Sequence, residues 1–505
     1  MTAPDLDDLL RPTTGSVTVH PGRGRAPATT SNEAIAARAR VVSAALVADG
    51  VGEGDVVALT LANDVDSIVG LLSIWFSGAT AASLPLRRKG GRGGEIALEA
   101  LLVGSGCRLH LSSRRTSPRF EAIEDRVVQE LEGRRAGPTP DRPVASDALI
   151  QFTSGSVGRP KGVVVPSRSL AAHVSGLTGL LEVDPIHDTT VSWLPLSHDM
   201  GLVGTCLVPL CAGAHAHLMT PRDFVTRPQR WLELVAATRS TILAAPDFAW
   251  RLVAAALLDQ QHVDLSSVRV ALTGAERVRR STIEALGESL VPAGLAWEAI
   301  TPTYGMAEAT LAVTCSAVGA APTFHGADVG LGQALPGVEI RTSTEDVVSV
   351  RSAHGFRGYL SAAGVADPRD DAGWFTTGDA GVLVDGDLVV RGRVDEVVVV
   401  AGRNLYAEDV EHVVLDELDG ELTGVAAFRG ADESRFALVV EPRRGVEVDE
   451  GLRRRIRSTV VGALETRPSS IDVVQPGQLP RTNSGKVQRV ACRDLVELRA
   501  VGGGA

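Results

Sequence analysis

Residues 153–162 read Thr-Ser-Gly-Ser-Val-Gly-Arg-Pro-Lys-Gly, and an apolar run lies on either side of them (148–152 and 163–165). This pattern predicts a strand, a hydroxyl- and glycine-rich loop, and a second strand. Such a loop can turn several N–H groups and hydroxyls toward one anion, and Lys161 adds a positive charge. It is not a Walker A sequence, because Pro160 precedes the lysine and Gly162 follows it. The stretch therefore predicts a polyphosphate site, with a mobile surface loop as the alternative.

Composition limits the other possibilities. The chain has 505 residues, enough for two to four domains, and a formal charge of −11, which argues against a general nucleic-acid binder. The five cysteines show no zinc-ligand spacing. No apolar run approaches the ~20 residues needed for membrane insertion, and the acidic N-terminus lacks the pattern of a signal peptide. We therefore expect a cytoplasmic protein.

Helix and strand patterns alternate up to about residue 320. A capping box at 30–33 predicts a helix through Ala48, and Ser167 is predicted to cap another. The pattern changes to short strands from 326 to 390, and a smaller unit follows residue 392. We predict an α/β fold with mostly parallel sheets covered by helices, then a small β subdomain, then a small α+β domain. The predicted domains are residues 1–392 and 393–505.

Further motifs follow the loop in order: Gly274-Ala275-Glu276, Thr303-Tyr304-Gly305-Met306-Ala307-Glu308, Trp374-Phe375-Thr376-Thr377-Gly378-Asp379, Gly392-Arg393-Val394-Asp395, Gly402-Arg403-Asn404 and Pro480-Arg481-Thr482-Asn483-Ser484-Gly485-Lys486. Together, and in this order, they resemble the adenylate-forming superfamily. That superfamily includes acyl-CoA synthetases, fatty acyl-AMP ligases, peptide-synthetase adenylation domains and luciferases. The resemblance runs from about residue 40 to 495.

Within the superfamily the chain is most similar to fatty acyl-AMP ligases. Three stretches carry this likeness: residues 193–201 (Trp-Leu-Pro-Leu-Ser-His-Asp-Met-Gly), 304–311 and 402–409. Two departures stand out. Val157 occupies a position where the family usually has threonine, and the path from Leu311 to Leu331 is shorter than in most fatty acyl-AMP ligases. The choice of thiol acceptor therefore stays open between a carrier-protein phosphopantetheine and coenzyme A.

The resemblance implies attack of a substrate carboxylate on the α-phosphorus of ATP, which releases pyrophosphate and leaves an acyl adenylate. A thiol then displaces AMP. Since two anions must meet, catalysis depends on positioning and charge neutralisation. Lys486 is the implied central cation, on a C-terminal domain expected to be mobile. Glu308 is the implied ligand of Mg²⁺, a cation that prefers oxygen ligands.

The resemblance also implies the nucleotide contacts. Tyr304 would stack on adenine beside Gly305, Asp379 would accept the ribose hydroxyls, and Arg393 would reach the ribose or phosphates. The other implied nucleotide residues are Thr153, Ser154, Gly155, Ser156, Gly158, Lys161, Gly274, Ala275, Glu276 and Thr303.

The implied acid site includes His198, Asp199, Asp247 and Phe248, with Pro246 and Trp250 as further wall candidates. His198 is also an implied catalytic residue, near the substrate carboxylate and the entrance for the thiol. A capping role is the alternative for Asp199. Asp395 is implied as the hinge between domain orientations, and Gly402 as the lining of the acceptor route.

Three alternatives to a carrier-dependent acyl-AMP ligase remain. Two are enzymes, an acyl-CoA synthetase and an amino-acid adenylating enzyme. The third is a nucleotide-binding protein without catalytic activity.

Overall fold

Two large sheets contain most of the strands before residue 367, and helices alternate with those strands along the chain. The computed structural model describes residues 5–11, 13–22, 25–86, 92–114, 119–134, 137, 143–154, 160–257, 263–361, 363–400, 403–418, 420–430, 435–481 and 487–502. The helices are α1 (Leu6–Leu9), α2 (Asn32–Ala48), α3 (Val65–Phe76), α4 (Arg92–Gly104), α5 (Val128–Glu132), α6 (Ser167–Leu180), α7 (Val208–Ala212), α8 (Pro221–Thr226), α9 (Gln229–Thr238), α10 (Asp247–Leu257), α11 (Arg280–Ser289), α12 (Ala407–Glu417), α13 (Glu450–Leu464) and α14 (Arg489–Gly502).

Strands alternate with these helices along most of the chain. The first fourteen are β1 (Ser16–His20), β2 (Ala28–Ser31), β3 (Val56–Thr60), β4 (Thr80–Leu84), β5 (Leu109–Ser112), β6 (Glu124–Val127), β7 (Asp147–Ser154), β8 (Pro160–Pro166), β9 (Thr189–Ser192), β10 (His215–Met219), β11 (Ile242–Pro246), β12 (Val270–Gly274), β13 (Ile300–Gly305) and β14 (Ala312–Cys315). The others are β15 (Phe324–His325), β16 (Asp328–Val329), β17 (Gln333–Ala334), β18 (Val338–Thr342), β19 (Val347–Ser352), β20 (Gly358–Ser361), β21 (Gly364–Ala366), β22 (Phe375–Val384), β23 (Asp387–Arg393), β24 (Val397–Val400), β25 (Arg403–Tyr406), β26 (Leu422–Arg429), β27 (Phe436–Pro442) and β28 (Ser470–Val473).

The first large sheet has the order β17-β14-β13-β12-β11-β9-β10-β1-β2. Its central strands β13, β12, β11, β9, β10 and β1 run parallel. The carboxyl ends of parallel strands meet at one edge, so the residues that follow β9, β11, β12 and β13 gather there. Ligands in open α/β sheets bind at such an edge.

The second large sheet has the order β21-β20-β8-β7-β4-β3-β5-β6. Strands β4, β3, β5 and β6 are parallel neighbours, and β7 joins β4 in the same direction. Strand β8 then returns antiparallel to β7, and β20 pairs antiparallel with β8. The predicted strands on either side of the glycine-rich loop are thus confirmed as a hairpin.

Local sequence explains where several helices begin. Ser31 caps α2, with its hydroxyl accepting the N–H of Ala34 at 3.1 Å, and Asp64 caps α3 by accepting the N–H of Ser67 at 2.9 Å. The prediction that Ser167 caps α6 is wrong. Its hydroxyl donates to the carbonyl of Ala145, which anchors the helix start to the segment before β7.

The smaller elements form separate sheets. The short-strand region contains the sheet β18-β19-β22-β23. The last hundred residues form the hairpin β24-β25 and the sheet β26-β27-β28, with a core that α12 and α13 share with the three-stranded sheet. The predicted mixed α/β fold is confirmed.

Candidate functional site

Strands β7 and β8 flank the predicted polyphosphate loop, and we call this pair of strands the phosphate-loop hairpin. Across it, Thr153 faces Lys161 and Ser154 faces Pro160. The predicted ligands Gly155, Ser156 and Gly158 lie outside the described residues. The exposed Lys161 ammonium lies 5.2 Å from the ring centroid of Tyr359 on β20, at cation–π distance.

The ends of β12 and β13 approach closely enough to require glycine. A Cβ on Gly274 would lie 2.6 Å from the carbonyl oxygen of Thr303, so a side chain there would collide with the neighbouring strand. Ala275 follows with φ of 63°, a left-handed conformation that costs a non-glycine residue about 1–2 kcal/mol. The implied nucleotide residues Gly274, Ala275 and Glu276 therefore form a tight and strained turn, which we call the adenine wall because it lies beside the strand that carries Tyr304.

Side-chain hydrogen bonds fix this wall to α10 and the neighbouring strand β13 to β14. The Glu276 carboxylate accepts the N–H of Phe248 at 2.6 Å, which ties the wall to the start of α10. The Thr303 hydroxyl donates to the carbonyl of Thr314 at 2.6 Å.

Tyr304, Asp379 and Arg393 form one hydrogen-bonded group. The Tyr304 hydroxyl donates to Asp379 Oδ2 at 2.5 Å, and Arg393 Nη1 donates to Asp379 Oδ1 at 3.2 Å. Burial raises the pKa of Asp379, and the nearby Arg393 and Tyr304 oppose that rise. Burial and the Asp379 carboxylate both raise the pKa of Tyr304, so the phenol stays protonated and keeps donating. These three residues, predicted from separate motifs, do meet.

Gly305 has a steric requirement of its own. A Cβ at this position would lie 1.9 Å from the carbonyl oxygen of Leu311. The register between β13 and β14 shifts at this point. The turn that carries Glu308 is therefore folded directly against β13.

Glu308 lies in a 3₁₀ turn, Ala307–Ala309. Its Oε1 accepts the hydroxyl of Tyr359 at 2.6 Å, and its carbonyl accepts the N–H of Phe356 at 2.8 Å. Burial raises the pKa of the Glu308 carboxyl, and the Tyr359 hydrogen bond opposes the rise.

A magnesium ion fits this carboxylate chemically. Glu308 offers hard oxygen ligands, and Mg²⁺ is usually bound by one or two carboxylates together with substrate phosphates. Over the described ranges, no three His, Cys, Asp or Glu side chains gather into a metal-binding group. A cation held by Glu308 would therefore need phosphate or water oxygens to complete its shell.

The predicted acid-site pair lies just before a π-helix, Met200–Leu207, a rare element that often marks functional sites. The side chains of His198 and Asp199 are 40% and 20% exposed, and His198 Nδ1 lies 3.8 Å from Asp199 Oδ1. Asp199 also accepts the N–H of Met200 at 2.7 Å. Asp199 thus makes the capping contact that sequence offered as its alternative role, while His198 reaches solvent.

Asp247 has a different environment from the one predicted. Its side chain is fully buried and accepts hydrogen bonds from the Arg279 N–H at 3.0 Å, the Arg279 guanidinium at 3.3 Å and the Thr282 hydroxyl at 3.0 Å. These contacts tie α10 to α11 and are those of a structural carboxylate. Phe248 beside it is only partly buried, and it remains a candidate wall residue.

The acid-site loop, residues 193–199 between β9 and the π-helix, is held by residues to which the sequence assigned no role. The buried Asn63 amide donates to the carbonyls of Leu194 and Met219, both at 2.9 Å, and its oxygen accepts the N–H of Leu196 at 3.2 Å. The Gln151 amide donates to the carbonyl of Ser197. No local motif marks either residue, since their partners lie far away in the chain.

The remaining predicted residues belong to the C-terminal part. Lys486 and Gly402 lie outside the described residues. Asp395 is half-exposed and accepts a hydrogen bond from Arg393 Nε at 3.4 Å. Helix α12 contacts the loop after the adenine wall through an ion pair between Arg277 and Asp409.

The chain is similar to known AMP-binding enzymes. Residues 25–360 match the family model described as AMP-binding enzyme. The long-chain-fatty-acid–AMP ligase FadD26 of Mycobacterium marinum is 30% identical over 523 residues, which cover 90% of this chain and 89% of that protein.

Two solved structures share the fold. One comes from structural and functional studies of fatty acyl-adenylate ligases from E. coli and L. pneumophila, with a TM-score of 0.85, 24% identity and 99% coverage of both chains. The other is McyG A-PCP complexed with phenylalanyl-adenylate, with a TM-score of 0.88, 24% identity and coverage of 99% of this chain and 96% of that one. Every helix in the described ranges is too short or too polar to cross a bilayer.

Proposed function

The chain belongs to the AMP-binding enzyme family, and from this premise we propose that it is an acyl-AMP ligase that loads a carrier protein. It uses ATP to activate a carboxylic acid as an acyl adenylate and passes the acyl group to a phosphopantetheine thiol. The observation that carries the proposal is the meeting of Tyr304, Asp379 and Arg393 at the carboxyl edge of the large sheet. The similarity to FadD26 supports an acyl rather than an aminoacyl substrate.

In the first step, a carboxylate oxygen of the acid attacks the α-phosphorus of ATP. A P–O bond forms, the bond to the bridging oxygen breaks, and pyrophosphate leaves. The phosphate-loop hairpin binds the leaving phosphates, with Lys161 at its descending strand. Asp379 uses its remaining lone pairs to accept ribose hydroxyls, and Tyr304 lies beside the adenine.

Charge neutralisation comes from two groups. We propose that Lys486 approaches the carboxylate and α-phosphate from the C-terminal domain, residues 393–505. Mg²⁺, bound through Glu308 and phosphate oxygens, would supply further electrostatic stabilisation. Both effects are needed because the nucleophile and the phosphate carry like charge.

In the second step, the acceptor's sulfur attacks the acyl carbonyl, a C–S bond forms, and AMP leaves with the electron pair of the acyl C–O bond. Before this step the C-terminal domain would rotate about Asp395 so that Gly402 lines the acceptor route. His198, half-exposed at the acid-site loop, would face the reacting carboxyl group.

The test has two stages. Acid-dependent exchange of pyrophosphate into ATP is measured across fatty, aryl and amino acids, and fatty acids are expected to give the fastest exchange. The adenylate is then offered to free coenzyme A or to a phosphopantetheine-loaded carrier protein, with the unmodified carrier as a matched control. Transfer to coenzyme A alone would identify an acyl-CoA synthetase. Fastest exchange with an amino acid would identify an amino-acid adenylating enzyme, and no exchange with any acid would refute catalysis.

A further inference from the structure

A short segment links the turn of Glu308 to the phosphate-loop hairpin. The Phe356 N–H donates to the carbonyl of Glu308 at 2.8 Å, and the Arg357 N–H donates to the carbonyl of Val164 on β8 at 2.7 Å. Strand β20 then pairs Tyr359 with Val163. The main chain thus fixes the base of Tyr359 relative to two separate motifs.

The Tyr359 side chain repeats this connection. Its hydroxyl donates to Glu308 Oε1 at 2.6 Å, and its ring lies 5.2 Å from the Lys161 ammonium. Edge-on contacts with Phe356 and Phe375, at centroid distances of 5.2 and 6.4 Å, fix the plane of the ring. One aromatic side chain therefore contacts the candidate metal ligand at its polar tip and the candidate phosphate lysine at its face.

We propose that Tyr359 is a positioning residue that holds the Glu308 carboxylate and the Lys161 ammonium in the arrangement that receives magnesium-bound triphosphate. This inference rests on the proposed function, since it assigns Tyr359 to the same nucleotide site. The phenol occupies one acceptor position on Oε1 and restricts rotation of the carboxylate, while other acceptor positions remain for a cation. A fixed ligand binds a cation more tightly than a rotating one, because less side-chain entropy is lost on binding.

The first test measures binding and needs no turnover. The Kd for α,β-methylene-ATP is determined by calorimetry with saturating Mg²⁺ and with EDTA. The Kd in EDTA divided by the Kd with Mg²⁺ gives the factor by which the metal tightens nucleotide binding. Tyr359→Phe keeps the ring but removes the hydroxyl. We expect the ratio to fall about tenfold, as for loss of a hydrogen bond to a charged group, with little change in EDTA.

Two further variants separate the two contacts. Tyr359→Leu also removes the ring, so it should weaken metal-free nucleotide binding by about threefold through Lys161. In a Glu308→Gln background, Tyr359→Phe should cause no further loss if it acts through Glu308. Tyr406→Phe is the matched control, since Tyr406 packs against Gly392, and its two affinities should equal those of wild type.

A ratio for Tyr359→Phe within twofold of wild type would overturn the inference. So would a Tyr359→Phe effect that is as large in the Glu308→Gln background as in the wild-type background. The unmutated chain gives a second measurement if a variant fails to fold. With only three tyrosines, 3-fluorotyrosine labelling should resolve the Tyr359 resonance in ¹⁹F spectra. That resonance should move when Mg²⁺ joins the bound nucleotide, and a stationary resonance would contradict the proposed role.

The outcomes distinguish this inference from the proposed function. If wild type binds the nucleotide with magnesium but catalyses no pyrophosphate exchange with any acid, the proposed function fails while Tyr359 can still be tested by affinity. If wild type catalyses exchange and Tyr359→Phe leaves the ratio unchanged, only the role of Tyr359 fails.

Discussion

Replacing Asn63 by alanine tests how the acid-site loop is held. The change removes hydrogen bonds to Leu194, Leu196 and Met219, with lengths of 2.9, 3.2 and 2.9 Å. At about 1 kcal/mol for each bond, and with buried backbone groups left unpaired, the free energy of unfolding should fall by about 3–4 kcal/mol. The loop that carries His198 should lose its fixed position.

The stability loss is measured by urea denaturation of the full chain at pH 7.5, above the range where the buried His173 protonates. The catalytic effect is measured by pyrophosphate exchange with the acid and ATP varied in turn. Since small misplacements of substrate-positioning groups cost 10–100-fold in rate, kcat/KM for the acid should fall by about that factor while the KM for ATP stays near wild type.

Asn404→Ala is the matched control, because the Asn404 side chain is exposed on β25. It should change the free energy of unfolding by less than about 0.5 kcal/mol. Asn63 does not hold the acid-site loop if its alanine variant loses less than about 1 kcal/mol in free energy of unfolding, or if only the KM for ATP rises.

Three other perturbations give separate checks. Burial lowers the pKa of His173 to about 4, so the folded state disfavours its protonation. The contribution of neutral His173 to the free energy of unfolding should be full above pH 6.5, and about 3 kcal/mol should be lost between pH 6.5 and 4. Urea denaturation of His173→Gln should show a flatter pH dependence. Gly305→Ala would bring a Cβ to 1.9 Å from the carbonyl oxygen of Leu311. It should lower the free energy of unfolding by about 1–3 kcal/mol and weaken ATP binding in calorimetry. An unchanged affinity for ATP would argue against a nucleotide role for this turn. Arg277→Glu should break the ion pair with Asp409, and Asp409→Arg in the same chain should restore an ion pair of reversed charge. The free energies of unfolding of both single variants and the double variant form a double-mutant cycle. A coupling free energy below about 0.5 kcal/mol would mean that the pair contributes nothing.

Sequence patterns predicted the strands and helix starts that depend on residues close together in the chain. The pairing of β7 with β8 follows from two apolar runs on either side of a glycine-rich stretch. The start of α2 follows from Ser31, whose hydroxyl accepts the N–H of the residue three positions later. Ser167 shows the limit of this reasoning. The helix begins one residue earlier than a Ser167 cap requires, with Pro166 at the N-cap position, and the Ser167 hydroxyl donates to the distant carbonyl of Ala145.

Residues that act through distant partners could not be predicted. Asn63 and the loop it holds are 130 residues apart, and no short motif surrounds either Asn63 or Tyr359. The order of strands in the first sheet has the same origin, since β1 pairs with β10, about 200 residues later. The resemblance implied Asp247 as an acid-site residue, but its side chain is fully buried and bonded to Arg279 and Thr282, which lie at the start of the next helix.

The central claim is that a substrate carboxylate attacks the α-phosphorus of ATP at this site. Acid labelled with ¹⁸O in both carboxylate oxygens tests it directly, with thiol acceptor present and the recovered AMP examined by mass spectrometry. One ¹⁸O atom should appear in each AMP, and Lys486→Ala should form no labelled AMP while still binding ATP. Unlabelled AMP, or label found in pyrophosphate or phosphate instead, would contradict the claim.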